Sequence, residues 1–245
     1  GRPRVANWLR SLSGLTANRR IARHSSTAPT RIHMPDSAES TRKPYVSALR
    51  AAAAGERRER VIAAATQCLR EGGGLGAFSL ESVGQAAGVT RLTVYNQFGS
   101  RRGLLEAVFD DIAARGRLTT IPEALALQDP WDGLDTVIER FCEFWSSDRA
   151  IANLHDAMAT DAEFATALAL RHERRRKLLQ ALVRRLAPAN VSAQRRRDAA
   201  DVLFAMTSFA MFRVLGSNRS VAAVTDLIKT SCRATLGAVG VVRQA

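Results

Sequence analysis

From Glu56 onward the apolar positions of this chain return every three to four residues, the spacing that puts side chains on one face of an α-helix. Val61, Ile62, Ala65, Cys68 and Leu69 mark the first such face, and Gly72-Gly73-Gly74 ends it, because glycine enters left-handed backbone at little cost. Phe78 follows as the plug of a small core. Ser79 stands at an N-cap position, which predicts a second helix from Leu80 to about Ala87. Val83 and Ala87 face inward there, the small Ala87 letting the next helix cross closely, while Gly88 supplies the turn and Val89 pins it to the core. Thr90 caps a third helix in which Val94 and Phe98 turn inward, leaving Arg91, Leu92, Thr93, Tyr95, Asn96 and Gln97 on or near the outer side. Gly99-Ser100 then breaks that helix and caps a fourth, with Arg101 and Arg102 in its first turn.

The helical rhythm continues beyond Arg117. Asp129-Pro130-Trp131-Asp132 is a helix start with a cap, a proline at the first position and an acid in the first turn. Trp131, Leu134, Ile138, Phe141 and Trp145 follow as one apolar stripe, widened by Val137 and Phe144. A shorter helix from Asp148 to Ala159 carries Ile151, Leu154 and Met158. Thr160 with Glu163 forms a capping box for a long helix reaching about Leu186, with Phe164, Leu168, Leu178, Leu179 and Leu182 on its apolar side, and Pro188 stops it. Val202 to Leu215 is apolar almost all round, which predicts a helix covered on two sides. A final helix, from about Ser220 to Val239, shows Val221, Val224, Ile228 and Cys232. The sum is an all-α chain of about nine helices. It divides into a basic, disordered extension at 1–55, a helix-turn-helix domain at 56–116 and a helical domain at 117–245.

Composition sharpens this division. The chain has 245 residues, 46% of them hydrophobic, enough for a small domain and a larger one, and carries a net charge of +13. The excess is uneven: residues 1–55 hold ten Lys/Arg against two acids, whereas residues 56–117 hold nine against seven. A polyanionic partner fits the total, but the helix-turn-helix domain itself is nearly neutral. Cys68, Cys142 and Cys232 are far apart in apolar contexts and read as small buried hydrophobes in a reduced compartment. No apolar run reaches the roughly 18 residues that cross a bilayer, so a soluble, cytoplasmic protein without a membrane partner is expected. The first methionine is Met34, and residues 1–33 are expected to lie upstream of the natural start. Arginine outnumbers lysine so heavily, with only Lys43, Lys177 and Lys229, that a GC-rich bacterial genome is expected.

The outer side of the third helix has the chemistry of a major-groove reader. Arginine forks onto guanine O6 and N7, threonine and leucine meet a thymine methyl, asparagine or glutamine pairs with adenine, and tyrosine and threonine hydroxyls hold phosphates. The pattern G-V-T-x-x-T-V-Y-x-x-F-x-S-R-x-x-L-L, from Gly88 to Leu105, resembles the DNA-binding domain of the tetracycline-repressor (TetR) family, over about residues 56–112. The resemblance implies an all-helical homodimeric repressor that binds a palindromic double-stranded operator. It also implies that a small molecule entering the C-terminal domain releases the DNA. Carried over by position, Arg91, Leu92, Thr93 and Gln97 fall where the family touches bases. Ser79, Thr90, Tyr95 and Arg101 fall where it touches phosphate. The chain departs from the common pattern with Arg101 in place of lysine, Leu92 in place of a small residue and Gln97 in place of an aromatic. The first departure keeps the phosphate role, and the other two bear on the operator sequence.

The last two helices, doubled in a homodimer, would form a four-helix bundle whose two-fold axis matches a palindrome. For the effector, Phe141, Phe144, Trp145, Met158, Phe164, Met206 and Phe209 are candidate walls and His155 a polar group among them, although the same stripes also serve as plain core. His155 and His172 lack the neighbours of a metal site, and no metal or other cofactor is expected. The run Arg171-His172-Glu173-Arg174-Arg175-Arg176-Lys177 reads as a solvated face. No phosphate loop, H-E-x-x-H or G-x-S-x-G occurs, which argues against an enzyme. The alternative reading is an architectural protein that holds DNA without regard to sequence.

Overall fold

The structure, a computed structural model, describes residues 42–71 and 78–242. The expectations for residues 1–41 of the basic arm, the start at Met34 and Gly72-Gly73-Gly74 lie outside these, whereas residues 42–55 of the arm, expected as disordered, are helical. Eleven α-helices are present among the described residues. They are α1 (Arg42–Arg70), α2 (Leu80–Ala87), α3 (Arg91–Phe98), α4 (Arg101–Arg115), α5 (Ile121–Leu125), α6 (Pro130–Ser147), α7 (Ala150–Thr160), α8 (Ala162–Leu186), α9 (Ala193–Met206), α10 (Phe209–Gly216) and α11 (Val221–Ala238). A single turn of 3-10 helix, Leu118–Thr120, precedes α5. The chain divides into two units between Arg60 and Val61. In the first, α1 starts well ahead of Glu56, and its side chains from Arg50 to Arg60 are exposed.

Within the second unit, the small N-terminal core is the one the sequence lays out: Val61, Ala65, Leu69, Phe78, Val83 and Val94 are buried together with Leu104, Leu105 and Val108 of α4. The same helix continues inward through Phe109 and Ile112. Phe109 meets Phe144 of α6 edge-on, ring centroids 5.7 Å apart, so one continuous core runs from α1 to α11. At the end of α4 a side chain on Gly116 would approach the Phe144 ring to 2.9 Å, and one on Gly133 would approach the Ala124 carbonyl to 2.7 Å. These two glycines let α4 and α5 press directly on α6. Cys142 and Cys232 are buried and Cys68 half-buried, all three as free thiols.

Two expectations are corrected. The capping box at Thr160 does not form: α7 runs through Thr160, and the first residue with extended backbone is Asp161, whose carboxylate accepts from the Phe164 N–H at 2.9 Å. The predicted helix from Val202 to Leu215 is two helices, α9 and α10, meeting at 55°. Thr207 turns its hydroxyl back onto the Leu203 carbonyl, which its own N–H already holds, and Ser208 caps α10 by accepting from the Met211 N–H, a donor that a continuous helix would have paired with a backbone carbonyl. Val224, Ile228 and Cys232 of α11 are buried inside the chain itself, against α6 and α9, and the opposite side of α11 faces outward. The split and the short α5 account for eleven helices in place of about nine. No single helix among the described residues is long and apolar enough to cross a membrane.

Candidate functional site

The turn between α2 and α3 is built by caps. The Ser79 hydroxyl accepts from the Ser82 N–H at 3.0 Å and the Ser82 hydroxyl accepts from the Ser79 N–H at 3.0 Å, closing a reciprocal box at the start of α2. Gly88 ends that helix in left-handed backbone at φ 67°. Close approach of the helices falls to Gly84 rather than Ala87: a side chain on Gly84 would stand 3.0 Å from the Val89 carbonyl oxygen. Thr90 then caps α3 by accepting from the Thr93 N–H at 3.1 Å, and the two threonine hydroxyls lie 2.9 Å apart.

With Val94 fully buried and Phe98 packed on the core, the remaining positions of α3 are fixed in direction. Arg91, Leu92 (66% exposed), Tyr95 (53% exposed) and Asn96 face solvent, while Thr93 and Gln97 are half-buried at the edges of that face. Ser79 and Thr90 are brought to the starts of α2 and α3, where helix dipoles and backbone N–H groups favour anions. Arg101 differs from the rest. Its Nε donates to the Phe78 carbonyl at 3.0 Å, and its Nη1 pairs with Asp161 at 3.0 Å.

Arg101 is one of several arginines joining the reading head to the helices behind it. Arg171 of α8 donates to Asp110 at 2.8 Å and lies over the Phe109 ring. Arg70 at the end of α1 donates to Asp148 through Nη2 at 2.6 Å and Nε at 3.0 Å, with Arg115 of α4 at 3.5 Å from the same carboxylate. Burial alone would push the Asp148 carboxyl up. The hydrogen bonds from Arg70 and the Ala150 N–H, with the charges of Arg70 and Arg115, hold it below its ordinary value.

A second constellation lies inside the C-terminal helices. The Trp145 ring packs against Phe141, Phe144, His155 and Phe209, and His155 stacks on Phe209 with centroids 4.4 Å apart. Five of the eight predicted wall residues are thus brought together. Phe164, fully buried, enters none of these ring contacts, and Met158 and Met206 pack half-buried against the core. A separate cavity of about 380 Å³ is lined by Trp131, Arg233, Gly237, Val241 and Val242, none of them in the predicted set.

The basic run of α8 is not a uniform solvated face. Arg175 is only 7% exposed. Its Nη1 donates to the Thr207 carbonyl at 2.7 Å, an oxygen that also accepts from the Trp145 indole at 3.0 Å, and its guanidinium lies over the Phe204 and Phe141 rings. The Arg175 Nε and the His155 Nε2 are buried without hydrogen-bond partners. Burial and the neighbouring Arg176 lower the Arg175 pKa to about 10, so the group stays charged at neutral pH. Burial, with the charge of Arg175, holds His172 down at about 4; burial, His172 and Arg175 do the same to His155. A signal for Arg175 was present in the sequence: it falls on the helical stripe of Leu168, Leu179 and Leu182.

Residues 61–108 match the family model described as bacterial regulatory proteins, tetR family. Solved structures share the fold at low identity. A transcriptional regulator from Rhodococcus sp. Rha1 is 17% identical with a TM-score of 0.59, covering 76% of this chain and 99% of its own. A TetR-family regulator from Mesorhizobium loti MAFF303099 is 18% identical with a TM-score of 0.52, covering 76% and 97%. NalD, the secondary repressor of the MexAB-OprM multidrug efflux pump in Pseudomonas aeruginosa, is 19% identical with a TM-score of 0.51, covering 78% and 100%. No curated protein sequence matches the chain.

Proposed function

We propose that this chain, whose residues 61–108 match the tetR-family model, is a transcriptional regulator, and in particular a ligand-released repressor acting as a cytoplasmic homodimer on a palindromic operator. The observation that carries the reading is the outward face of α3: two core anchors fix the helix and leave Arg91, Leu92 and Tyr95 in solvent. In the proposed complex Arg91, Leu92, Thr93 and Gln97 meet base edges, and Ser79, Thr90 and Tyr95 hold phosphates. Arg101 reaches phosphate by giving up Asp161 for it, so DNA and the cap of α8 compete for one guanidinium.

The dimer is proposed to form through the outward sides of α9 to α11. Val202, Val214, Val221 and Leu227 are all exposed there, an apolar surface that a second copy would cover. Effector bound among the C-terminal helices would shift α4 through its shared core with α6 and change the spacing of the two α3 helices, which must enter major grooves about 34 Å apart. Effector then weakens DNA and DNA weakens effector by the same factor.

Selecting bound sequences from random DNA tests the reading. A palindrome held roughly a thousandfold tighter than random duplex is the expected result, and equal affinity for both overturns it in favour of an architectural DNA-binding protein.

A further inference from the structure

Resting on the reading that the C-terminal helices take a small-molecule effector, we infer that this effector is an organic carboxylate on an apolar body, its carboxylate paired with Arg175 and its body set against the rings of α6, α9 and α10. Arg175 is buried without an acid. Among the described residues no carboxylate pairs with it, and the charged group that acts on it most is a second arginine, Arg176. A buried ion without a counter-ion carries a desolvation cost that only an opposite charge with good hydrogen-bond geometry offsets. Here the offset is partial: Thr207 supplies one carbonyl, and Phe204 and Phe141 supply ring faces, while Nε points at nothing. The His155 Nε2 is orphaned in the same cluster, and in one of its two neutral tautomers it is a donor.

The surroundings narrow the chemistry further. Trp145, Phe209 and Phe141 form apolar walls, so the rest of the molecule must be apolar to be seated there. Arg176 and Arg213 lie over the same Phe204 and Phe209 rings but are paired with Asp201 and Asp156, so Arg175, beside two neutral imidazoles, is left to balance one negative charge. A dianionic phosphate would bury an excess charge, and a cation would meet Arg175 as a like charge.

Isothermal titration calorimetry on the full chain at pH 7, with benzoate, 4-phenylbutyrate and decanoate each set against its uncharged primary amide, tests the inference. At least one acid should bind ~30-fold or more tightly than its amide, and Arg175→Met, with its helical circular dichroism intact, should bind acid and amide alike. Should that variant fail to fold, the wild-type comparison of acid with amide decides alone. Equal binding of acid and amide, no acid binding below about 1 mM, or a preference retained in Arg175→Met overturns the inference. Operator affinity, followed separately by fluorescence anisotropy, keeps the two readings apart. Acids that bind without loosening DNA overturn the effector mechanism and leave the carboxylate site standing. DNA released by some other molecule, with no acid bound, overturns the carboxylate site alone.

Discussion

Arg91 and Arg101 are both arginines of the reading head, yet their surroundings separate them. Arg91 projects exposed from the first turn of α3, whereas Arg101 is tied to Phe78 and Asp161. Arg91→Ala should therefore flatten the preference among operator sequences, at about 1–3 kcal/mol for a lost guanine contact. Arg101→Ala should weaken all DNA alike and reduce the salt slope by roughly one. Anisotropy titrations across a salt series distinguish the two, and the opposite pattern would exchange the roles. The buried histidines set a pH dependence. Their pKa is about 4 in the folded chain against 6.5 ordinarily, so the unfolded chain binds more protons between those values. Stability should fall as pH drops from 6.5 to 4, by roughly 1.4 kcal/mol per pH unit for each imidazole that must stay neutral. Asp148 acts in the same sense and lower down: its carboxyl is held below 3.8, so its contribution is present above that value and is lost as pH falls through the lowered one. Thermal melts of His155→Gln and His172→Gln, together flattening the upper limb, check the assignment. The exposed face of α3 was legible in the sequence because Val94 and Phe98 fix its direction locally. Arg175 left only its place on the apolar stripe of α8 as a signal, and a cation within a run of cations reads as solvated until its helix is placed against Phe204 and Thr207.

Helices whose ends depend on nearby residues were legible as well. Ser79, Thr90, Ser100 and Asp129 all cap where the sequence places them. The break between α9 and α10 left no such mark, since the apolar period runs on through Thr207 and Ser208 and only the packing of Trp145 and Arg175 against the freed carbonyl reveals it. The α5 helix is too short to show a period at all. At the turns, glycine roles separate by degree. Alanine at Gly88 meets no neighbour and carries only the left-handed backbone cost, about 1–2 kcal/mol. At Gly103 a side chain would fall 2.1 Å from the Phe98 carbonyl oxygen, a backbone atom that cannot step aside. Gly103→Ala should therefore lower the melting temperature more than Gly88→Ala and disturb the α3–α4 corner. A melt in the reverse order would mean that α4 can slide along its axis at no cost.

Between Val61 and Val242 the buried side chains form a single cluster. One cooperative unfolding transition is expected by calorimetry, and two resolved transitions would show that the reading head melts alone. Association should be sensitive to the outward sides of the last helices. Val214, 67% exposed, is the most open apolar residue of α10, and Val214→Glu should shift the sedimentation equilibrium towards monomer while leaving the melting of the monomer unchanged. Which side of α11 faces outward was not legible in the sequence because both of its sides carry apolar residues, and only packing against α6 and α9 decides which is interior. The passage of α4 through both parts of the core bears on how such proteins can be recombined. A chimera cut after Gly116, with a foreign effector domain attached, would expose Phe109 and Ile112 and leave Arg115 without Asp148. A transplantable reading head ends where its last socket does, so a working exchange must carry Phe144 and the Asp148 corner along with α4, or recreate them in the recipient.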